Sequence, residues 1–399
     1  MYFGDVKTFT NQVLRTERSF NVVSPSYFDL HQDGSLKLTH LVDRNFVDNM
    51  HQLGIRVVPF LSNHWDRDVG RAMLADYEAT AQQIADAVIQ YNLDGVNVDI
   101  ENITHEDREQ FTAFIKLLRE LLPSTKEVSV AVAANPNGWT LGWHGAYDYY
   151  ELSQHADYLM MMTYDESFQG SAPGPVASLP WVERSIQYAL DQGVAANKIV
   201  FGLAHYGRYW IEGQEVGGNG LSNTQVKEML SKYEHTVTYD ETSQSAKAVV
   251  TIREGDPNMY VTGKPLKPGT YTVWFENEKS YQAKLGLVDQ YGIRGVGHWS
   301  IGQEDPSIWN AYPTWYGTKD QALQVSGSET SDTATELKTE EIPNVEQEEP
   351  SYNNYTVVAG DSLYRIAQKN NITIDQIREV NNITGDLIYV GQVLKLPLS

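Results

Sequence analysis

The chain contains no cysteine, so disulfide bridges, thiolate metal ligands and a cysteine nucleophile are all excluded. Basic residues are also few: 30 lysines and arginines stand against 52 aspartates and glutamates among 399 residues, for a net charge of −22. This excess of negative charge disfavours binding to nucleic acid or to an anionic membrane through bulk electrostatics.

Long apolar runs are absent as well. No stretch reaches the about 18 apolar residues that a membrane-spanning helix requires, so we expect no membrane span. The first ten residues have neither the basic start nor the apolar core of a secretory signal. We therefore expect either that the protein is not exported by that route or that its targeting segment has been removed or left out.

The composition changes abruptly after Trp315. Residues 319–350 are rich in Glu, Asp, Ser and Thr and contain no aromatic side chain. Such a segment cannot bury enough apolar surface to offset its chain entropy, which predicts a disordered acidic linker. We place this linker at 318–352, between a large domain over 1–317 and a C-terminal module over 353–399.

Short apolar runs alternate with amphipathic, helix-like stretches through the large domain. The runs lie at 20–28, 55–61, 95–101, 128–135, 158–165, 198–207 and 294–300, and residues 2–4 add an eighth. Eight strand–helix units predict an α/β fold whose parallel sheet closes into a (β/α)8 barrel. A doubly wound open sheet is the alternative, but no Gly-x-Gly-x-x-Gly motif opens a helix after the first strand.

The last two predicted strands are separated by far more residues than one helix needs. Several short strand-like segments occupy this interval, so we predict a small α+β insertion over 213–278. The insertion would stand beside the C-terminal mouth of the barrel and form one wall of a groove.

Residues 93–102, LDGVNVDIEN, alternate polar and apolar side chains. A strand would place Asn97, Asp99 and Glu101 on one face and the intervening valines and isoleucine on the other. A barrel strand needs its apolar face against the outer helices, so the polar side chains would face the interior. They approach the C-terminal end of the strand, where barrel enzymes hold their catalytic groups. A solvated strand end with a satisfied polar ladder is the alternative.

The spacing of the two carboxylates limits the chemistry. Alternate residues of a strand lie roughly 6.6 Å apart, so Asp99 and Glu101 would approach a substrate from the same side. Inverting and conventional retaining glycosidases need carboxylates on opposite sides of the sugar, which does not suit one strand. An acid with a helper does suit it, provided that the substrate supplies the nucleophile.

A 2-acetamido sugar can supply that nucleophile, because its carbonyl oxygen can attack the anomeric carbon and form an oxazolinium. Glu101 would protonate the leaving oxygen and later activate water. Asp99 would orient the acetamido N–H and stabilise the positive charge.

The same strand resembles the Asp-Gly-x-Asp-x-Asp-x-Glu signature of family 18 glycoside hydrolases. These (β/α)8-barrel enzymes include chitinases, endo-β-N-acetylglucosaminidases and peptidoglycan-degrading enzymes. Asp94, Asp99 and Glu101 match the signature, and we expect Asp94 to be structural. Asn97 departs from it, because chitinases have a middle aspartate there. The Asn97 amide can still hydrogen-bond to Asp99, although one charge and one proton partner are lost.

Two further segments resemble the family. MMTYDE at 161–166 implies Tyr164 as a third catalytic residue, which bonds the acetamido carbonyl, and Asp165 as a substrate-binding residue. GVGHWS at 295–300 implies that Trp299 forms the floor of the −1 sugar site. Ordinary core positions are the alternative for both Tyr164 and Trp299.

The segments at 24–36, 203–210 and 271–299 resemble the bacterial spore-cortex and cell-wall branch of the family, whose members resemble N-acetylglucosaminidases that cleave peptidoglycan. On segment resemblance alone, Tyr206, Arg208 and Glu276 are candidate groove residues.

Residues 354–397 resemble a LysM module, a βααβ unit that binds N-acetylglucosamine-containing glycans. The resemblance implies a groove between two loops. The implied glycan-binding residues are Gly360, Asp361, Ser362 and Leu363 in the first loop and Asp386, Leu387, Ile388 and Tyr389 in the second. Asp361 and Ser362 also suit the N-cap of the first helix.

Both resemblances imply the same sugar. We therefore expect a retaining enzyme that cleaves β-1,4 bonds after N-acetylglucosamine in peptidoglycan, held by LysM at the cell wall or spore surface. A chitinase, an N-glycan endoglycosidase and a catalytically silent chitin-binding lectin are the alternatives. We expect no organic cofactor and no metal, since the ten histidines include no His-Glu-x-x-His pair.

Overall fold

The computed structural model describes residues 6–16, 19–315, 352–357, 363–370, 372, 374–381 and 393–397. The chain divides into two compact units, Met1–Gly327 and Ser328–Ser399. The predicted linker at 318–352 lies outside the described residues except for Tyr352, which begins a strand. Among the described helices, none has the length and apolar character needed to cross a membrane.

Parallel strands dominate the first part of the large unit. They are β1 (Val22–Val23), β2 (Phe28–Leu30), β3 (Leu36–Leu38), β4 (Arg56–Val57), β5 (Phe60–Ser62), β6 (Gly95–Asp99), β7 (Glu127–Ala133), β8 (Tyr158–Met162) and β9 (Ile199–Ala204). The pairs β1–β4, β2–β5, β5–β6, β6–β7, β7–β8 and β8–β9 are all parallel, and β3 alone pairs antiparallel, with β2.

Helices connect these strands and cover the outer face of the sheet. They are α1 (Val6–Arg15), α2 (Arg44–Gln52), α3 (Arg67–Ala75), α4 (Tyr77–Gln90), α5 (Arg108–Leu121), α6 (Tyr149–His155) and α7 (Leu179–Asp191). Helix α5 shows why they pack as they do: Phe111, Phe114, Ile115 and Leu118 stand at positions i, i+3, i+4 and i+7 and are fully buried. That spacing places all four on the side of the helix that meets the core.

After β9 the chain enters a separate antiparallel sheet. Its elements are β10 (Tyr206–Ile211), β11 (Asn219–Ser222), α8 (Asn223–Lys232), β12 (Glu234–Asp240), β13 (Ser245–Ile252), β14 (Tyr260–Val261), β15 (Lys264–Pro265) and β16 (Gly269–Phe275). The five-stranded sheet has the order β11-β10-β16-β13-β12. It starts at Tyr206, earlier than the predicted boundary at 213, because β10 pairs with β16 and does not prolong β9.

The chain then returns to the barrel sheet. Helix α9 (Glu278–Tyr291) leads into β17 (Gly295–Trp299), which pairs parallel with β9, and α10 (Ile308–Trp315) follows. The predicted strands from 20–28 to 294–300 are therefore found in parallel order, the first two of them each in two short pieces. The predicted eighth strand, residues 2–4, lies outside the described residues.

One glycine is required by the close approach of two barrel strands. Gly95 opens β6 with φ +150°, a backbone conformation that side-chain-bearing residues rarely adopt. A Cβ atom at this position would lie 2.1 Å from the carbonyl oxygen of Glu127 on β7. The glycine that opens the acidic strand is therefore a packing requirement.

The C-terminal unit is a small βααβ fold. It consists of β18 (Tyr352–Thr356), α11 (Leu363–Asn370), α12 (Ile374–Asn381) and β19 (Val393–Pro397), and the two strands pair antiparallel. Its core is formed by Val357, Ile366, Ala367, Ile377, Leu394 and Leu396.

Candidate active site

The polar side chains of strand β6 line one cavity. Asn97 and Asp99 are each 8% exposed, and both line this cavity together with Glu101, which follows the end of the strand. The intervening Val96, Val98 and Ile100 are fully buried in the core that faces the helices. The alternation in the sequence thus separates the side of the strand that lines the cavity from the side that packs in the core.

Burial sets the protonation of the two carboxyl groups. Burial raises the pKa of Asp99 to about 6. Burial, followed by the negative charges of Asp99 and Asp165, raises the pKa of Glu101 to about 9. At neutral pH, Glu101 therefore carries a proton while Asp99 is mostly ionised, which is the division of roles that an acid and its helper need.

One oxygen of Asp99 has no hydrogen-bond partner. Its Oδ1 atom is buried and receives no hydrogen bond from any described residue. A buried carboxylate oxygen without a donor is unfavourable, so a substrate N–H that reached this atom would gain a strong hydrogen bond.

The backbone that carries Glu101 is fixed from two sides. Asn63, just after β5, accepts a hydrogen bond from the Glu101 amide and donates one to the Glu101 carbonyl, both at 2.8 Å. The Tyr147 hydroxyl donates to the Ile100 carbonyl at 2.9 Å, and the indole N–H of Trp143 donates to that hydroxyl at 2.8 Å. The backbone at Glu101 is thus held by residues that the sequence analysis does not single out.

A buried polar network orients Asn97. Its Nδ2 atom donates to Ser129 Oγ at 2.9 Å, and that hydroxyl donates to Glu127 at 3.0 Å. Arg56 donates to the other oxygen of Glu127 at 2.9 Å. The amide of Asn97, the residue that departs from the family signature, is therefore hydrogen-bonded to β7.

Tyr164 and Trp299 meet across the cavity. Their rings are stacked, with centroids 6.5 Å apart and planes 25° apart, and both line the same cavity as Glu101. Burial, then the charges of Asp99 and Glu101, hold the pKa of Tyr164 well above its usual range. The Tyr164 hydroxyl therefore remains a hydrogen-bond donor.

The inserted sheet contributes two of the predicted residues through β10. Tyr206 donates to Asp165 Oδ1 at 2.6 Å, and Arg208 donates to the same oxygen at 2.7 and 2.9 Å. Asp165 adopts a positive φ of 63°, which is uncommon outside glycine and is held here by these partners. Tyr206, Arg208 and Asp165 thus form one cluster at the cavity.

Glu276 does not line the cavity that contains Glu101. Its carboxylate pairs with Lys284 at 2.7 and 2.9 Å, and the side chains of both residues are at most 2% exposed. Ser280 donates a further hydrogen bond at 2.5 Å. The candidate groove residue is instead one half of a buried ion pair between the end of β16 and α9.

Replacing Lys284 by Met is expected to lower the free energy of unfolding by about 3 kcal/mol, because the buried Glu276 carboxylate loses its counter-charge. Urea titration followed by tryptophan fluorescence measures this loss. The double variant Glu276→Leu, Lys284→Met, which leaves no unpaired charge, should recover most of it. An equal loss in both variants would contradict a charge-pairing role.

Further aromatic side chains line the mouth of the cavity. Trp65 follows β5, Trp139 and Trp143 follow β7, and Phe168 follows β8. Trp65, Trp139 and Phe168 are 45–53% exposed. The density of tryptophan and glycine in the segment NPNGWTLGWHG (135–145) is the sequence signal that could have indicated them.

The remaining predicted residues belong to the C-terminal unit. Leu363 is the first residue of α11. The other candidates lie outside the described residues: Gly360, Asp361, Ser362, Asp386, Leu387, Ile388 and Tyr389. Over the ranges that the structure describes, no cluster of three or more His, Asp or Glu side chains could hold a metal ion.

Comparison with known sequences places this site in a known class. The chain belongs to glycosyl hydrolases family 18, whose sequence profile matches residues 68–304, and the profile of the LysM domain matches residues 355–397. The predicted family, barrel and C-terminal module are therefore confirmed.

Individual relatives agree with this assignment. The chain is 31% identical over 225 residues to a Bacillus subtilis protein named uncharacterized glycosylase YvbX, covering 54% of this chain and 60% of that one. It is 26% identical over 293 residues to the Bacillus subtilis cortical fragment-lytic enzyme, covering 71% and 64%. The chain thus spans about 60% of the length of these curated relatives.

A solved structure matches the fold. The crystal structure of a chitinase from Chromobacterium violaceum ATCC 12472 superposes with a TM-score of 0.67 at 25% identity. The match covers 78% of this chain and 96% of that one.

Proposed function

We propose that the chain is a retaining N-acetylglucosaminidase that cleaves peptidoglycan by substrate-assisted catalysis. The observation that carries this proposal is that Asp99, the last residue of β6, and Glu101, two residues later, line one cavity. The other two carboxylates that line the cavity are engaged elsewhere: Asp165 accepts from Tyr206 and Arg208, and Glu166 accepts from Ser178. A nucleophile from the substrate fits this arrangement better than one from the protein.

The proposed first step breaks the bond to the leaving group. Protonated Glu101 gives its proton to the glycosidic oxygen, while the acetamido carbonyl oxygen attacks the anomeric carbon and forms an oxazolinium. Asp99 Oδ1 accepts the acetamido N–H, and its negative charge stabilises the cation. Tyr164 donates to the acetamido oxygen, and Trp299 packs against the sugar.

The second step restores the enzyme. Glu101, now ionised, takes a proton from a water molecule that attacks the anomeric carbon from the face vacated by the leaving group. The bond between that carbon and the acetamido oxygen breaks at the same time, which opens the oxazolinium and restores the acetamido group. Two displacements at the same carbon retain its configuration.

Peptidoglycan is favoured as the polymer by the relative named cortical fragment-lytic enzyme and by the C-terminal LysM match. LysM would keep the enzyme at the cell wall or spore surface, where tethering raises the local concentration of the active site. Chitin is the second candidate, because a chitinase structure covers most of the catalytic unit.

Mass spectrometry of fragments released from purified peptidoglycan tests the proposal, with Glu101→Gln protein as the control. We expect wild-type fragments that end in N-acetylglucosamine at the reducing end. Proton NMR of the fresh products should show the β-anomer first, and a thiazoline analogue of N-acetylglucosamine should inhibit. If fragments were released only from chitin oligomers or from a high-mannose glycoprotein, peptidoglycan would not be the substrate. An initial α-anomer would refute the mechanism.

Removing residues 319–399 is expected to weaken binding to insoluble cell wall by at least tenfold, because tethering is lost. Turnover of a small soluble substrate should stay within about twofold of the full chain, since the described catalytic residues lie in the other unit. Sedimentation with wall sacculi and initial rates measure the two quantities. An equal loss of both would show that the C-terminal unit supports the catalytic fold.

A further inference from the structure

Two histidines that the proposed mechanism does not use lie directly behind the site. His205 is fully buried, and His298 lines the cavity that contains Glu101. Their rings are nearly parallel, with centroids 4.9 Å apart and planes 15° apart, and His205 Nε2 lies 3.0 Å from His298 Nδ1. We name these two residues the histidine pair.

Hydrogen bonds continue from both ends of the pair. His205 Nδ1 lies 2.8 Å from the Tyr281 hydroxyl on α9, and His298 Nε2 lies 2.7 Å from the Tyr312 hydroxyl on α10. Tyr281 donates in turn to the carbonyl oxygen of Ala204, the last residue of β9, at 2.7 Å. One continuous chain of hydrogen bonds therefore runs from α10 through β17 to the end of β9.

The carbonyl at one end fixes the direction of every bond in this chain. A carbonyl oxygen can only accept, so Tyr281 donates its proton to Ala204 and must accept from Nδ1–H of His205. A neutral His205 then has an acceptor at Nε2, which requires Nδ1–H on His298. His298 Nε2 is thus an acceptor, and the Tyr312 hydroxyl donates to it. Both rings therefore carry their proton on Nδ1.

Burial keeps both rings neutral. It lowers the pKa of His298 to about 3, and burial together with the neighbouring imidazole lowers the pKa of His205 well below its usual range. Phe20 and Trp309 pack edge-on against His298, with ring centroids 5.2 and 5.6 Å away. Because such surroundings disfavour a charged imidazole, the direction of the hydrogen bonds is preserved at neutral pH.

The histidine pair holds Trp299 at two points. His298 precedes Trp299 in β17, and the backbone N–H of His205 donates to the Trp299 carbonyl at 2.8 Å. The Trp299 ring stands against Tyr164 in the cavity. A change in the pair would therefore move the ring that packs against the sugar in the proposed function.

The pair also holds the start of the inserted sheet. His205 is the single residue between β9 and β10, and Tyr206, which begins β10, donates to Asp165 in the site. Asn223, at the start of α8, donates from its backbone to the His205 carbonyl and from its side chain to the Tyr281 hydroxyl, both at 3.0 Å. The point at which the chain leaves the barrel is thus fixed by the same network.

We propose that the histidine pair is a positioning device, in which two neutral Nδ1–H rings set the place of Trp299 and Tyr206 around the reacting sugar. This inference rests on the proposed function, in which Trp299 packs against the sugar that forms the oxazolinium. The pair acts through its neighbours and takes no part in proton transfer to the substrate. A misplacement of about 1 Å can lower a rate about 100-fold, so a small displacement of Trp299 has a measurable effect.

The tautomers are tested on the full chain without substrate. Long-range proton–nitrogen NMR spectra of protein labelled with 15N histidine distinguish protonated from unprotonated ring nitrogens. Variants that lack one histidine of the pair assign the signals. We expect a protonated Nδ1 and an unprotonated Nε2 in both rings at neutral pH. An Nε2–H tautomer or a charged ring in either residue would overturn the proposal.

His298→Asn and His298→Leu separate hydrogen bonding from the filling of space. The asparagine amide reaches the position of Nδ1 and can donate to His205, whereas leucine leaves His205 Nε2 buried without a donor. We expect kcat/KM on soluble peptidoglycan strands, or on the hexamer of N-acetylglucosamine if wild type prefers it, to fall at least about tenfold in His298→Leu and less than about threefold in His298→Asn. The Kd of the thiazoline analogue should rise by the same factors, because this analogue resembles the oxazolinium.

Trp299 provides a measurement that needs no substrate. In spectra of protein labelled with 15N tryptophan, the indole signal of Trp299 is assigned through Trp299→Phe. This signal should shift clearly more in His298→Leu than in His298→Asn. His40→Leu is the matched control, since His40 is exposed and does not line the cavity. It should change neither the signal nor the rate.

Equal effects of His298→Leu and His298→Asn on the rate and on the indole signal would overturn the positioning role. If urea titration shows that His298→Leu does not fold, Tyr312→Phe takes its place, because it removes only the hydroxyl that donates to His298. It should show the same losses to a smaller degree, and an unchanged rate and indole signal would overturn the proposal. A wild-type protein that neither cleaves these glycans nor binds the thiazoline would refute the proposed function, while the tautomers and the indole signal would still decide whether the pair holds Trp299.

Discussion

Replacing Glu101 by glutamine is expected to lower kcat on glycan strands by about 10³–10⁴-fold. Glutamine keeps the shape and the hydrogen-bonding capacity of the side chain but cannot transfer a proton to the leaving oxygen, and general acid catalysis typically contributes up to about this much. Steady-state kinetics measure the loss. The fold should persist, because the backbone contacts from Asn63 to residue 101 do not involve the carboxyl group.

Two measurements distinguish the loss of the proton donor from damage to the fold. Glu120→Gln, which alters an exposed carboxylate on α5, is the matched control and should retain full activity. The residual activity of Glu101→Gln should also lose the decline above pH 9 that wild type shows, because the group that deprotonates there is gone. Activity within tenfold of wild type would exclude Glu101 as the acid.

Replacing Asp99 by asparagine is expected to lower kcat by about 10²–10³-fold, the usual effect of removing one group that stabilises developing charge. The variant keeps an oxygen that can accept the acetamido N–H, but it loses the negative charge beside the oxazolinium. The same rate assay measures this loss.

The pH dependence gives a sharper test of the Asp99–Glu101 pair. In wild type, kcat/KM requires Asp99 ionised and Glu101 protonated, so it should fall below about pH 6 and above about pH 9. Because the charge of Asp99 raises the pKa of Glu101, Asp99→Asn should remove the acidic decline and move the basic decline to lower pH. A basic decline that stays at pH 9 would show that the two carboxyl groups do not interact.

The strand that carries Asn97 and Asp99 could be predicted from sequence because its signal is local. Alternation of polar and apolar residues fixes which side chains share a face, and the burial of Val96 and Val98 beside the lining residues Asn97 and Asp99 reproduces that pattern. The family signature could be recognised for the same reason, because all of its residues lie within a stretch of ten.

Features that depend on distant pairing were less predictable. The inserted sheet begins at Tyr206 because Arg208 pairs with Trp274, a contact between residues far apart in the chain. Glu276 follows that same strand, and only its burial against Lys284 distinguishes an ion pair from a groove residue. For Trp139, the sequence shows a tryptophan in a loop, but exposure inside a cavity depends on how neighbouring loops fold around it.

The closeness of Asp99 and Glu101 in the chain also separates two kinds of evolutionary change. Glu101 follows Asp99, the last residue of β6, by two positions, so chain connectivity keeps their carboxyl groups near each other, and Asn63 and Tyr147 fix the backbone at 100–101. The loop at 135–146 and the inserted sheet, which shape the rest of the cavity, come from other parts of the chain. On the proposed function, we expect mutations there to change which polymer fits the cavity while Asp99 and Glu101 keep their spacing. Such an architecture would allow a lineage, or a designer, to change the substrate without altering the proposed catalytic pair.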